Sequence, residues 1–501
     1  MIAEAALVFI AVVVLANLVS LIKRKLSSLH LPPGPQPYPL VGNLPHLVGP
    51  LMPLAMTELA KKYGKIYSLT LPGQQCVVLN SSELAREALL TRKDEFSGRP
   101  STFVGDFITR SSADIICADH TQTMVRLRKI AHKALQMYGR GMQRLEGRIC
   151  QEADHLAHRF AAHNGAPIDP KDDVAVTVLN VICSLVYGQR YEVDDLEFKR
   201  IVEYNDLFAE IFGSYNMLDM FPWLIHVPYS KSRLIKYACK IRDDILTRKY
   251  LEHKEKFEIE NANNNFEVND LTDALLQAFA DEKRELRKAE ALTEDNIMMT
   301  MNDVFNAGFE TTTTAILWLI AYLSKHPDVQ DKIHAELDEV IGGSRMPQLK
   351  DRHNMPYIEA TIAEILRIRS IVPLALPHKA TCDTTLSGYD VPKGTTVIVN
   401  LWAIHHDPEE WLNPEEFDPS RFLDADGSYR AAGEKSFLPF SAGRRNCLGE
   451  ALAKMELFLV CSRILHQFRF SHLEGEAPTL ESHAGVVLHP KSFRVVITER
   501  A

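Results

Sequence analysis

Apolar residues recur at helical spacing over 82–90, 123–135, 142–160, 173–186, 231–251, 293–325, 328–341, 357–369 and 450–468, which predicts a helix in each interval. The segment 293–325 is the longest. Alternating or continuous β-branched runs are few and short: 66–71 and 76–79 flank a Pro72-Gly73 turn as a hairpin, and 396–400 and 493–498 read as further strands. The pattern predicts a mainly α fold with small β-sheets. The polar stretch 252–265, ending in asparagines, reads as a surface loop between helices.

The first residues break this pattern. From Ala5 to Ile22 no residue is charged, and Lys23-Arg24-Lys25 follows at once. At 1.5 Å per helical residue such a run spans about 27 Å, close to a bilayer's hydrocarbon core. A secretory signal would put the basic cluster before the apolar run, so 1–25 reads as a retained anchor with its basic stop. The positive-inside rule then leaves the rest of the chain in the cytosol. Residues 26–45 hold Pro32, Pro33, Pro35, Pro37 and Pro39, a stiff extended stem. Neither a linker nor an internal repeat divides 46–501, which reads as one catalytic domain despite its length.

Eight cysteines lie scattered without paired spacing, as expected of reduced thiols facing the cytosol. Cys447 differs from the rest. It follows Phe440-Ser-Ala-Gly-Arg-Arg-Asn and precedes an apolar helix, where helix-start amides and arginines favour a thiolate. Without a C-x-x-C pair, zinc and iron–sulfur sites have little support, whereas a single thiolate suits haem iron. A buried, inert thiol is the alternative. In the long helix, capped by Thr293, Ala307-Gly308-Phe309-Glu310 runs into four successive threonines, Thr311 to Thr314. Their hydroxyls can bond back to the preceding turn, and Gly308 loosens it, so the helix is expected to open locally. Glu310 and Thr311 are then an acid and an alcohol placed to relay protons to dioxygen, with Asp303 earlier in the same helix.

Phe440-x-x-Gly443-x-Arg445-x-Cys447-x-Gly449 resembles the haem signature of the cytochrome P-450 family, and Ala307-Gly308-x-Glu310-Thr311 resembles its oxygen-activating helix. The resemblance covers essentially the whole chain, from the anchor and proline stem to the C-terminal strands. It implies the cytochrome P-450 fold, with haem b between the long helix and the Cys447 loop. Cys447 would be the axial iron ligand, and Arg99, Arg128, His378 and Arg445 the partners of the propionates. Glu364, Arg367 and Arg421 would brace the loop before the cysteine. Met124 stands where the family usually has a tryptophan, which removes one hydrogen bond to a propionate.

Segments such as Phe96-Ser-Gly-Arg-Pro100, Pro377-His-Lys-Ala380 and Asn400-Leu-Trp-Ala-Ile-His-His406 are most similar to a steroid-hydroxylating branch of the family. That branch implies hydroxylation of pregnenolone or progesterone at carbon 17. Asn205, Arg242, Asn306 and Ala307 would contact the substrate. Asn306, Ile108, Cys117, Ser370 and Val372 depart from the branch pattern and reshape the pocket. Ala363 replaces a basic residue tied to cytochrome b5-assisted carbon–carbon cleavage, which favours hydroxylation over cleavage. A broad xenobiotic or aryl-hydrocarbon monooxygenase remains the alternative, and a non-redox haem protein is a third class.

Net charge is −9, and nothing in it suggests nucleic-acid binding. Basic residues nevertheless gather in the segments near Cys447: Arg444, Arg445, Lys454, Arg126, Arg128, Lys129, Lys133, Arg92 and Lys93. Such a patch on an acidic protein suits an acidic partner. The resemblance names it as NADPH–cytochrome P-450 reductase, which delivers NADPH electrons at the endoplasmic reticulum membrane.

Overall fold

The computed structural model describes residues 29–500 apart from 48, 50, 73, 138, 213–215, 264, 286–291, 431–434 and 484. The anchor expected over 1–25, and Gly73 of the hairpin turn, lie outside the described residues. Among the described residues no helix is long and apolar enough to cross a membrane, and the cysteines form no disulfide. The described residues divide into two compact units, the first comprising those within 29–100, 373–412 and 441–446 and the second the remainder.

The first unit is built on strands. Helix α1 (Met52–Tyr63) precedes β1 (Ile66–Leu71) and β2 (Gln74–Leu79); β3 (His378–Lys379), β4 (Thr384–Leu386), β5 (Tyr389–Val391) and β6 (Thr396–Val399) follow much later. One sheet has the order β1-β2-β6-β3, with β1 antiparallel and β6 parallel to β2, in the registers Tyr67↔Val78 and Val78↔Ile398. Strands β4 and β5 form a separate hairpin. Tyr67, Leu69, Cys76, Val78 and Ile398 bury one face against Met56 of α1. The proline stem is laid against this sheet: Pro33 accepts from the Ser68 amide at 2.7 Å, and a side chain at Gly34 would meet the Ser68 carbonyl at 2.0 Å.

The second unit is helical: α2 (Gln122–Met137), α3 (Gly139–Ala162), α4 (Lys171–Val186), α5 (Leu196–Phe212), α6 (Ser230–Ala262), α7 (Leu271–Glu285), α8 (Glu294–Lys325), α9 (Pro327–Val340), α10 (Pro356–Arg369) and α11 (Glu450–Gln467). A hairpin of β7 (Phe468–Ser471) and β8 (Val496–Glu499) closes it. Helix α8 is the axis, about 48 Å long at 1.5 Å per residue, and α4, α6, α7, α10 and α11 pack around it. Thr293 and Asn296 form a capping box at its start, and Glu294 and Asp295 favour the positive end of its dipole.

Two expectations need correction. The stretch 252–265 is not a loop for most of its length, because α6 runs on to Ala262. Tyr250, His253 and Phe257 continue a buried stripe at helical spacing, and Phe266 meets Phe257 edge-on at 4.6 Å. Helix α8 does not open at Gly308; it is α-helical throughout. Glycine serves close packing there, since an added Cβ would lie 2.6 Å from Ile182 Cδ1 of α4.

Candidate active site

From Asn296 to Ser324 every residue of α8 is buried except Ala307, Gly308 and Thr311. These three share one face, at i, i+1 and i+4, and make a window on an otherwise enclosed helix. Thr311 lies in the window and donates its hydroxyl to the Ala307 carbonyl at 2.7 Å, the back-bond expected of a helical threonine. Glu310, one position back, points elsewhere: its carboxylate is buried and meets His489 Nε2 at 2.9 Å. The acid and the alcohol are therefore neighbours in sequence with different partners. Asp303 Oδ2 accepts the amides of Ile115 and Ile116 at 2.8 and 3.1 Å. Burial, and then the adjacent Asp114 carboxyl, push Asp303 well above the usual carboxylate range.

Cys447 stands just before α11, its amide donating to the Phe440 carbonyl at 2.9 Å. Its side chain is exposed, yet the protein around it pushes the thiol up; the Gly449 amide and Arg128 of α2 pull the other way without prevailing. The helix-start amide thus acts as the sequence suggests, but burial outweighs it, and a bound cation is what would make the sulfur a thiolate. The neighbouring arginine comes from α2, and Arg445 is engaged elsewhere. Gly443 is required by geometry, with φ at +76° and the Leu89 carbonyl 1.8 Å from where a Cβ would stand.

In the first unit Arg99, His378 and Arg445 gather around the backbone at Phe96 and Ser97. Arg445 Nε donates to Ser97 O at 2.9 Å, Arg99 Nη1 to Pro377 O at 2.9 Å, and His378 Nδ1 bonds Phe96 O at 2.8 Å. Burial, then Arg99 and then Arg445, lower His378 to about 3, so in these surroundings it is a neutral imidazole at pH 7.

The residues expected to touch substrate lie in the second unit. Tyr204 donates its hydroxyl to Asn302 Oδ1 at 2.9 Å, and Asn306 Nδ2 approaches the same hydroxyl at 3.5 Å, so α5 and α8 are joined there. Asn205 Oδ1 and Asn306 Oδ1 are buried and have no hydrogen-bond partner within the protein. Arg242 is committed to the protein: Nε and Nη2 contact Asp243 at 2.9 and 2.7 Å, and Nη1 donates to the Ile108 carbonyl. Glu364, Arg367 and Arg421 are brought together, with Arg367 Nε and Nη2 on the Glu364 carboxylate at 2.7 Å each and Arg421 Nε 3.4 Å from it.

Within the second unit the donor set fits haem iron, with a lone sulfur beside an arginine and an open window on the enclosed helix; the first unit, taken by itself, holds basic side chains of the kind that suit anionic groups. The family model described as Cytochrome P450 matches residues 32–497. The chain belongs to the cytochrome P450 family. It is a haem-thiolate monooxygenase. Similar curated proteins include the "Steroid 17-alpha-hydroxylase/17,20 lyase" of Oryzias latipes, 42% identical over 93% of this P450 and 91% of that protein. Those of Gallus gallus and Squalus acanthias are 42% and 40% identical, covering 91% and 99% of this chain and 90% and 97% of theirs. A solved zebrafish cytochrome P450 with progesterone matches with a TM-score of 0.78 at 38% identity, covering 89% of this chain and 99% of that one.

Sequence reasoning did not single out His489 or Asp114. No local motif marks either, and only the fold brings them to Glu310 and Asp303.

Proposed function

We propose that this P450 hydroxylates a C21 steroid, pregnenolone or progesterone, at carbon 17. The observation that carries this reading is the pair of buried amide oxygens, Asn205 Oδ1 and Asn306 Oδ1, left without donors near the Tyr204 link between α5 and α8. Acceptors of that kind suit a donating hydroxyl at the polar end of an otherwise apolar substrate, such as the 3-hydroxyl of pregnenolone. The names of the relatives and the progesterone in the zebrafish structure support the same class.

Cys447 would hold the haem iron through its sulfur, and Arg99, Arg128, His378 and Arg445 would partner the propionates; a propionate beside His378 would favour the proton that its present surroundings withhold. Haem, when bound, supplies the activation of dioxygen. The chain does the rest: Ala307 leaves room over the window, Thr311 presents a hydroxyl there, Glu310 is the acid through which a proton is passed, and Asp303 fixes the 115–116 segment. Residues 46–501 act as one catalytic domain, which the family match across both units supports.

Electrons come from NADPH through cytochrome P450 reductase, docking on the exposed stripe of α2 that carries Lys129 and Lys133. The uncharged run 5–22 anchors the chain in the endoplasmic reticulum membrane. Hydroxylation is favoured over carbon–carbon cleavage, because Ala363 offers no charge to cytochrome b5 and the nearby Arg352 is paired with Glu359 at 2.6 Å. Purified enzyme with reductase, NADPH and either steroid should yield the 17-hydroxylated product. Absence of that product with both steroids refutes the proposal.

A further inference from the structure

We propose that His489 is a positioning residue for the proton relay, fixing the Glu310 carboxylate through its ring Nε2–H. The inference rests on reading Glu310 as the relay acid. The ring lies between two groups of α8: Nε2 is 2.9 Å from Glu310 Oε1, and Nδ1 is 2.8 Å from Thr314 Oγ1. Glu310 and Thr314 are four residues apart, so they sit one above the other on the same helical face. Acid, imidazole and hydroxyl therefore close a small ring on the helix itself.

The hydrogen bonds set the tautomer. A carboxylate can only accept, so the proton between Glu310 and the imidazole belongs to Nε2; in the neutral ring Nδ1 is then an acceptor, and Thr314 donates its O–H to it. The imidazole cannot drift, because the backbone at Leu488 and His489 is held, with the His483 amide donating to the His489 carbonyl at 2.9 Å. Trp318 Nε1, one turn beyond Thr314, donates to the Leu488 carbonyl at 2.7 Å, and the Leu488 amide donates to Ile371 O at 3.0 Å. The His489 side chain is 35% exposed and that of Glu310 10%, which puts the ring at the outer edge of a buried acid. A carboxylate on a flexible stem would otherwise choose among rotamers; a charge-assisted hydrogen bond selects one and directs the second oxygen.

The test compares His489→Leu, His489→Gln and Glu310→Gln in the full-length holoenzyme with reductase, NADPH and whichever of progesterone or pregnenolone the wild type turns over. Product formed per NADPH consumed is read alongside hydrogen peroxide release, and crystal structures report where the Glu310 carboxylate points. His489→Leu should lower product per NADPH about tenfold, the scale of one hydrogen bond to a charged group, with the carboxylate rotated from its wild-type position. His489→Gln, which keeps an N–H donor, should restore most of both. Wild-type coupling in His489→Leu together with uncoupling in Glu310→Gln would overturn the role of His489 and leave the relay reading intact. Wild-type coupling in Glu310→Gln would overturn the relay reading itself. An unmoved carboxylate in His489→Leu would overturn the positioning role whatever the rates.

Discussion

Replacing Arg367 by alanine should release the segment 413–422 from α10. Both partners of the Arg367–Glu364 pair are fully buried, with two contacts of 2.7 Å between guanidinium and carboxylate. Arg367 Nη1 also donates to Pro414 O at 2.9 Å, while Glu364 Oε1 accepts the Asp418 amide at 3.0 Å, so the pair ties the segment from both charges. Burial raises the Glu364 carboxyl even with Arg367 beside it. Without the guanidinium, Arg421 at 3.4 Å and the Asp418 amide are left to oppose that burial. Breaking a buried pair from one side costs about 3–5 kcal/mol, or roughly two to nearly four powers of ten in an opening equilibrium at ~1.4 kcal/mol per decade. Amide hydrogen exchange over 413–422 reads that equilibrium directly. Protection of this segment in Arg367→Ala should fall by about a hundredfold or more, and the double variant Glu364→Leu/Arg367→Met, which leaves no unpaired charge, should recover much of it. Protection within about tenfold of wild type in the single variant would refute the claim that the pair holds the segment.

Three further outcomes follow from other sites. Gly308→Val should lower the unfolding temperature of the holoenzyme by the equivalent of about 1–3 kcal/mol, because its side chain meets Ile182 in a packed core; an unchanged melting curve would show that α4 yields freely. His334 is buried with Nε2 unpartnered, and burial, then Arg500 and Arg469, lower it to about 4 against 6.5 in the unfolded chain. The unfolded chain therefore binds the extra proton between those values, so stability falls as pH drops through that window, and His334→Gln should lose less in unfolding midpoint between pH 7 and pH 5 than wild type. Asn306→Leu removes an acceptor and should weaken pregnenolone, which carries a donating 3-hydroxyl, by about three- to tenfold more than progesterone, which does not; titration of the Soret shift checks this, and equal losses would place the acceptor away from the substrate's polar end.

The fold was legible where apolar spacing stood alone. Helices α8 and α11 announce themselves by long stripes, and the β1–β2 hairpin by two short β-branched runs. Helix α5 was harder to see, because Asn205 interrupts the stripe formed by Phe198, Ile201, Tyr204 and Ile211. The polar end of α6 misled for a related reason. Its charged residues look like a loop, but a buried His253 between Tyr250 and Phe257 keeps one face inside, meeting Asp270 at 2.9 Å. A histidine or asparagine on the inward face is indistinguishable in sequence from one in solvent, since only the partner across the core decides its burial.

The same limit governs the site. Local motifs place Cys447, Thr311 and Glu310, but which charge faces which is set by residues far away in sequence. Thr311 illustrates the consequence. Its O–H is already given to the Ala307 carbonyl, so what it offers the window in this state is an acceptor oxygen. To donate outward it must leave the helix carbonyl, at a net cost of about 1 kcal/mol, the worth of one neutral hydrogen bond. Glu310 faces no such choice, because His489 occupies one carboxylate oxygen, and in the proposed relay the other is left to serve it. In the proposed relay the threonine therefore orders the incoming polar group and passes a proton on, while the supply of that proton falls to the acid that His489 holds.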